Sequence, residues 1–172
     1  MSIPPVTEYA LVADNPRFDS DIERVLDAAF GPGRFSKVSE RVREFAALDR
    51  ELSRVALKGC EVVGCCRIYR VLIGATPALF LGPLAVSPAT QGAGLGQDLV
   101  GASLRACEAS GVGAVIVVGQ PRMFAPFGFT EVPRDRIAMP GPVEARRFQW
   151  RALRDGGLDG LAGAVRAPRA AS

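Results

Sequence analysis

The sequence predicts an α+β fold in which a mixed, largely antiparallel central sheet is flanked by helices. Three observations carry this expectation. Two amphipathic helical stretches precede most of the strand signal, a β-hairpin pattern follows them, and then come a strand, a glycine-rich turn, a helix and a fully apolar strand in succession. The 172 residues suit one domain spanning 1–172, since no internal repeat, low-complexity stretch or long linker divides them. Apolar residues make up 48% of the chain and charged residues 23%, which suits a packed core and is too apolar for intrinsic disorder.

A first strand is expected at Tyr9 to Val12. Asp19-Ser20-Asp21 then offers capping oxygens to a helix carrying Ile22, Val25, Leu26, Ala29 and Phe30 at helical spacing, and Gly31-Pro32-Gly33 stops it. Ser36 is the expected cap of a second helix that turns Val38, Val42 and Phe45 inward, with Glu40, Arg41, Arg43 and Glu44 mostly outward. Ser53 to Leu57, the turn Lys58-Gly59 and Glu61 to Val71 read as a hairpin. The strand Ala78 to Val86 follows, and its Gly82-Pro83 pair predicts a bulge or interrupted pairing, because proline cannot donate to a ladder.

Leu95, Leu99, Ala102 and Ala106 restore the helical spacing until Ser110-Gly111. Ala114 to Val118 is wholly apolar and β-branched in character, as a central strand buried on both faces requires. A short helical turn near Pro121 to Phe127 and strands near Phe129 to Val132, Ala145 to Leu153 and Ala162 to Val165 complete the series, with a frayed tail over Arg166 to Ser172.

Charge narrows the function classes. The net charge of +3 arises from 21 basic and 18 acidic residues scattered along the chain, without the basic block of a nucleic-acid arm. The amino terminus lacks a secretory pattern, and the longest apolar runs fall short of the roughly 18 residues a membrane span needs. A cytoplasmic protein without nucleic-acid or membrane partners is expected. Cys60, Cys65, Cys66 and Cys107 show no C-x-x-C spacing and no histidine joins them, so no metal site is expected. Adjacent Cys65 and Cys66 would point to opposite faces of a strand.

Gln91-Gly92-Ala93-Gly94-Leu95-Gly96 lies between a strand and a helix, where free backbone N–H groups and the helix dipole favour an anion. It is not a dinucleotide fingerprint, which would need glycine at Gln97 or Leu99. It is not a nucleotide P-loop either, since neither Gly94 nor Gly96 is followed by Lys and then Ser or Thr.

The segment Leu84-Ala85-Val86-Ser87-Pro88, followed by Gln91-x-x-Gly94-x-Gly96, resembles motif A of the GNAT acetyltransferases, whose pattern is Q/R-x-x-G-x-G/A. Pro121 through Phe129, ending in Phe127-Gly128-Phe129, resembles the short helix and final G-F signature of the family's bacterial single-domain branch. The order of helices and strands from residue 8 to about 166 fits the same family.

The resemblance implies that the strand ending at Val86 splays from the Ala114 to Val118 strand, opening a V-shaped cleft for acetyl-CoA or CoA as cosubstrate, with no metal. Main-chain groups of Leu84, Ala85 and Val86 would pair with the pantetheine amides, and the Val86 N–H would polarise the thioester carbonyl. Backbone N–H groups of Gln91, Gly92, Ala93, Gly94, Leu95 and Gly96 would hold the pyrophosphate. The implied activity is acetyl transfer to an amine by direct attack in a ternary complex, the acceptor being a small molecule or a protein. Exposed strand edges near the carboxyl terminus admit a homodimer.

One departure from the family pattern bears on the chemistry. Four residues before the glycine of the G-F signature the family usually places the tyrosine that protonates the departing thiolate, and here that position is Phe124. Phe124 and Met123 read instead as apolar lids on the core or on the pantetheine arm. The chain's tyrosines are Tyr9 and Tyr69, and its strand Ala78 to Val86 carries no ionisable side chain. Glu61 and Tyr69 are the candidates for a base, each with a competing role as a solvated or packed strand residue. Arg146, Arg147, Arg151 and Arg154 suit either a solvated strand edge or an anionic ligand. A non-catalytic acyl-CoA-binding module is the rival reading, and transfer to oxygen or of a longer acyl chain is a third.

Overall fold

The computed structural model describes residues 9–92 and 94–168. Strand β1 (Ala10–Ala13) leads through a short 3-10 turn into helix α1 (Asp19–Phe30), whose first turn carries Asp19 and Asp21 where the helix dipole favours negative charge. Ile22, Val25 and Leu26 form its buried face. A 3-10 turn over Pro32–Ser36 takes up the residues expected to cap the next helix, so α2 (Val38–Phe45) begins one residue later, with Lys37 at the capping position.

Strands β2 (Ala47–Leu48), β3 (Arg54–Lys58), β4 (Glu61–Ile73) and β5 (Thr76–Val86) follow. Helix α3 (Leu95–Ala109), strand β6 (Ala114–Val118), the single turn α4 (Pro121–Phe124) and strands β7 (Thr130–Glu131), β8 (Ile137–Ala138), β9 (Phe148–Ala152) and β10 (Gly163–Arg166) complete the chain.

The sheet runs β1-β3-β4-β5-β6-β9-β7, with β2 and β10 pairing further along β4 and β8 pairing β10. Its ladders are antiparallel except β5 with β6 and β10 with β8. Strand β4 is buried almost throughout, with α1 and α3 packed against it. Cys65 and Cys66 enter separate core clusters, one beneath α1 and the other beneath α3, as strand alternation demands. Burial pushes both thiols up to about 12.

Three differences from the sequence reading have local causes. The buried face of α3 is Leu95, Leu99, Val100, Ser103, Leu104 and Cys107, whereas Ala102 and Ala106 flank it. Ser103 occupies a core position on that face although its buried hydroxyl has no hydrogen-bond partner among the described residues. Residues 145–147 form a 3-10 turn rather than the start of β9. Strand β9 lies between β6 and β7, so it is not a sheet edge along its whole length. The end of the tail, residues 169–172, lies outside the described residues. No helix among the described residues is long and apolar enough to cross a membrane.

Candidate active site

The site begins where two strands part. Parallel pairing of β5 and β6 runs from Leu79↔Val115 to Leu81↔Val117 and goes no further. Beyond it, Gly82-Pro83 produces a bulge against β4: Cys66 pairs with Leu84 but Ile68 with Leu81. The proline thus sits where the ladder on one side has ended and on the other is interrupted.

The end of β5 presents its backbone to the resulting gap. The Ser87 N–H donates to the Val63 carbonyl at 2.8 Å, while Val86 lies opposite Gly64. In an antiparallel ladder this phasing turns the N–H and C=O of Leu84 and Val86 away from β4, and those of Ala85 toward Cys65. The Gln91 side-chain amide reaches the Val86 carbonyl from that open side at 3.3 Å.

Two cavities flank this stretch. One, of about 450 Å³, runs along the glycine turn and is lined by Leu84, Ala85, Val86, Gln91, Gly92, Gly94, Leu95 and Gly96, with Ala29, Phe30, Thr90, Gln97 and Met123. Every residue assigned to the cofactor from sequence is there except Phe124 and Ala93, and Ala93 lies outside the described residues. Gly94 is the capping residue of α3 with φ +78, a left-handed conformation that favours glycine. Gly96 has no Cβ to press on Met123 Cε, which would lie 3.4 Å away.

The other cavity, of about 410 Å³, occupies the splay itself. Leu81 to Leu84 form one wall, Val117 to Gln120 with Met123 and Phe124 the second, and side chains from α1, α2 and the 142–147 loop close the outer end. Phe30, Leu84 and Met123 line both cavities, so the two meet at Leu84. Phe124 is buried, packed edge to face on Phe129 with ring centres 5.4 Å apart and against Gly119, where an added Cβ would collide with the ring.

Neither tyrosine lines either of these cavities. Tyr69 is buried on β4 with its hydroxyl accepting from Arg43 Nε at 2.8 Å, and Tyr9 lines a separate groove beside α3. Glu61 is exposed at the start of β4, opposite Lys58. The base candidates read from sequence are therefore not brought to the splay.

The ionisable side chains that do line it are Arg34, Lys37, Glu40, Glu144 and Arg147. The sequence names Arg147 in the arginine cluster that suits a solvated edge or an anionic ligand, and Glu40 as an outward residue of α2, but no periodicity shows that these two distant segments meet here. Arg34 is buried and donates to Asp27 at 2.9 Å, Glu40 at 3.0 Å and Glu23 at 2.5 Å. Burial pushes the Glu23 carboxyl up, yet hydrogen bonds from Arg43 and Arg34 bring it below its ordinary value. Among the described residues no group of three or more His, Cys, Asp or Glu side chains is placed to hold a metal ion.

A splayed parallel pair, a glycine turn capping the following helix and a phenylalanine-lined apex define a class, and residues 20–129 match the profile of the acetyltransferase (GNAT) family. The chain belongs to that family. It is 27% identical over 146 residues to the uncharacterized N-acetyltransferase YhbS of Escherichia coli strain K12, covering 84% of this chain and 87% of that protein. The crystal structure of E. coli YhbS in complex with CoA superposes with a TM-score of 0.80 at 24% identity, covering 98% of this chain and 94% of YhbS. A GNAT family acetyltransferase from Brucella melitensis in complex with acetyl-CoA gives 0.69 at 24% identity, covering 94% and 97%.

Proposed function

We propose that the protein transfers an acetyl group from acetyl-CoA to an amine, which attacks the thioester directly in a ternary complex. The observation that carries this reading is the junction of the two cavities at Leu84, where unpaired β5 backbone meets the splay. Family membership supports acetyl transfer, and the CoA and acetyl-CoA bound in the YhbS and Brucella structures support the cosubstrate.

The pantetheine arm lies along β5 as an added strand would, with its amides on the outward main-chain groups of Leu84 and Val86. Ala85 contributes packing rather than hydrogen bonds, since its main-chain groups face Cys65. Polarising the thioester carbonyl suits the Leu84 N–H better than that of Val86. Leu84 stands at the junction, whereas Val86 lines only the cavity of the glycine turn. The pyrophosphate rests on backbone N–H groups from Gln91 to Gly96, at the positive end of the α3 dipole. Phe124 closes the apex as an apolar wall.

The amine enters from the splay. Among the carboxylates there, Glu40 is held by Arg34 and Arg43, and Glu144 by Arg146 at 2.7 Å. The reacting amine therefore arrives neutral, and water carries the proton to a thiolate whose conjugate acid has a pKa of about 8.5.

Calorimetric titration with acetyl-CoA and CoA tests the reading, with the Gly94→Asp, Gly96→Asp double variant checked for folding by circular dichroism. Binding by the wild type that the folded variant loses is expected. Absence of binding by the wild type would sink the acyl-CoA reading. Binding without turnover on any member of a broad amine panel would favour a non-catalytic acyl-CoA-binding module.

A further inference from the structure

The outer end of the splay cavity carries an imbalance of charge that acetyl transfer does not use. Counting the lining together with its ion-pair partners, five cations (Arg34, Lys37, Arg43, Arg146 and Arg147) meet four carboxylates (Glu23, Asp27, Glu40 and Glu144), leaving one positive charge. Arg34 is satisfied by Glu23, Asp27 and Glu40, Glu40 by Arg34 and Arg43, and Glu144 by Arg146. The surplus thus rests on Lys37 and Arg147.

Both are held in place without an anion. Residue 147 is pinned to the end of β6, its carbonyl accepting from the Gly119 N–H at 2.9 Å and from the Gln149 amide at 3.4 Å. The Arg147 Nε is buried and has no hydrogen-bond partner among the described residues. The unpaired nitrogen leaves this guanidinium's charge under-compensated, and since Nε itself is covered, an anion in the cavity reaches Arg147 through its other nitrogens. The Lys37 ammonium lies 3.9 Å from the centre of the Phe30 ring, a ring that also lines the cavity. Lys37 and Arg147 line the same cavity, and partial burial and then the charge of Arg147 lower the Lys37 pKa while Glu40 acts the other way.

Resting on the acetyl-transfer reading above, we propose that the acceptor amine also bears a carboxylate, which Arg147 and Lys37 hold at the outer end of the splay cavity. A carboxylate pairs strongly with a guanidinium, and its single negative charge matches the single net positive charge. A phosphate monoester, with nearly two charges, would overfill it. The anion fixes the molecule at the outer end and leaves its amine directed toward Leu84, which is how a remote charge contributes to orientation at the reacting atom. The substrate class is accordingly an amino acid or a similar small amino carboxylate.

The test is calorimetric titration of the protein, free and saturated with CoA, with a panel of N-acetyl amino acids and the matching N-acetyl amino amides. These are products of the proposed reaction and its uncharged control, so the measurement needs no turnover. Acids binding about tenfold or more tightly than their amides are expected, a charge-assisted pair being worth at least that much. The preference should collapse toward one in Arg147→Gln, fall in Lys37→Gln and weaken as salt rises. Lys37 is exposed, so its variant tests the proposal even where Arg147→Gln disturbs the fold. Equal affinity for acid and amide, a preference that survives both variants, or no binding at millimolar concentration would each overturn it. The CoA titration separates the two readings: CoA bound without acid preference sinks this inference alone, whereas no CoA bound sinks the function beneath it.

Discussion

Under the proposed function, Phe124 places an apolar ring where the family resemblance expects a proton donor. Its ring lies between Phe129 and Gly119 and forms part of the splay wall, so its burial follows from close contacts on both sides. In the proposed reaction, a thiolate leaving next to that wall would take its proton from water. Phe124→Tyr adds one oxygen to a side chain that already lines the cavity. If protonation of the thiolate limits turnover, kcat for acetyl transfer should rise about tenfold or more, since a positioned general acid contributes roughly 10² to 10⁴. The check is the rate of thiol release at saturating acetyl-CoA, with the melting temperature confirming that the hydroxyl is accommodated. An unchanged kcat in a folded variant would place the limiting step elsewhere.

Strands and helices are tied near the amino terminus by a buried ionic network. Asp14 follows β1, has no side-chain exposure, and accepts from Arg67 Nε of β4 and Arg50 Nη1 at 2.9 and 3.0 Å. Asp19, opening α1, accepts from the same two arginines. Asp14→Asn halves the charge compensation of Arg67, which is 4% exposed, and should cost about 3–5 kcal/mol in urea unfolding. Asp21→Asn, losing only the exposed partner Arg24, should cost under about 1 kcal/mol. The hydrogen bond from Arg50 lowers the Asp19 pKa below its ordinary 3.8 against the opposing effect of burial, and Glu23 is lowered below 4.5. A carboxyl whose folded pKa lies below its unfolded one contributes fully above the unfolded value and less as pH falls through the folded one. The melting temperature should therefore drop on acidification below about 4.5. At this scale the sequence was legible where a pattern is repeated. Ile22, Val25 and Leu26 mark α1, and Val- and Ile-rich flanks around a glycine-containing turn mark the β3-β4 hairpin. Strands β2 and β8 have two residues each, too few to show any period, and exist because longer neighbours offer them a ladder.

Across the whole molecule, the half of the site built from one continuous segment was readable and the half assembled by folding was not. Leu84 to Gly96 is one local segment whose motif carries the family resemblance, and it lies along one cavity, while the outer end joins 30–40 to 142–147, which no periodicity connects. The assembled whole also bears on the proposed route of acetyl transfer. A relay through an enzyme-bound acetyl group needs a nucleophile at the junction, and cysteine is the natural one. Cys65, Cys66 and Cys107 are buried, with thiols pushed up to about 12 chiefly by burial, so they are protonated at neutral pH. Cys60 is exposed in the β3-β4 turn, and none of the four lines either cavity. This favours the proposed direct attack, in which both substrates are bound together. With an amine that turns over, double-reciprocal plots against acetyl-CoA at several fixed amine concentrations should intersect, and a Cys60→Ser variant should keep its kcat. Parallel lines, or an acetylated protein recovered by mass spectrometry that goes on to acetylate added amine, would show that the acetyl group stops on the protein, and direct attack would be wrong.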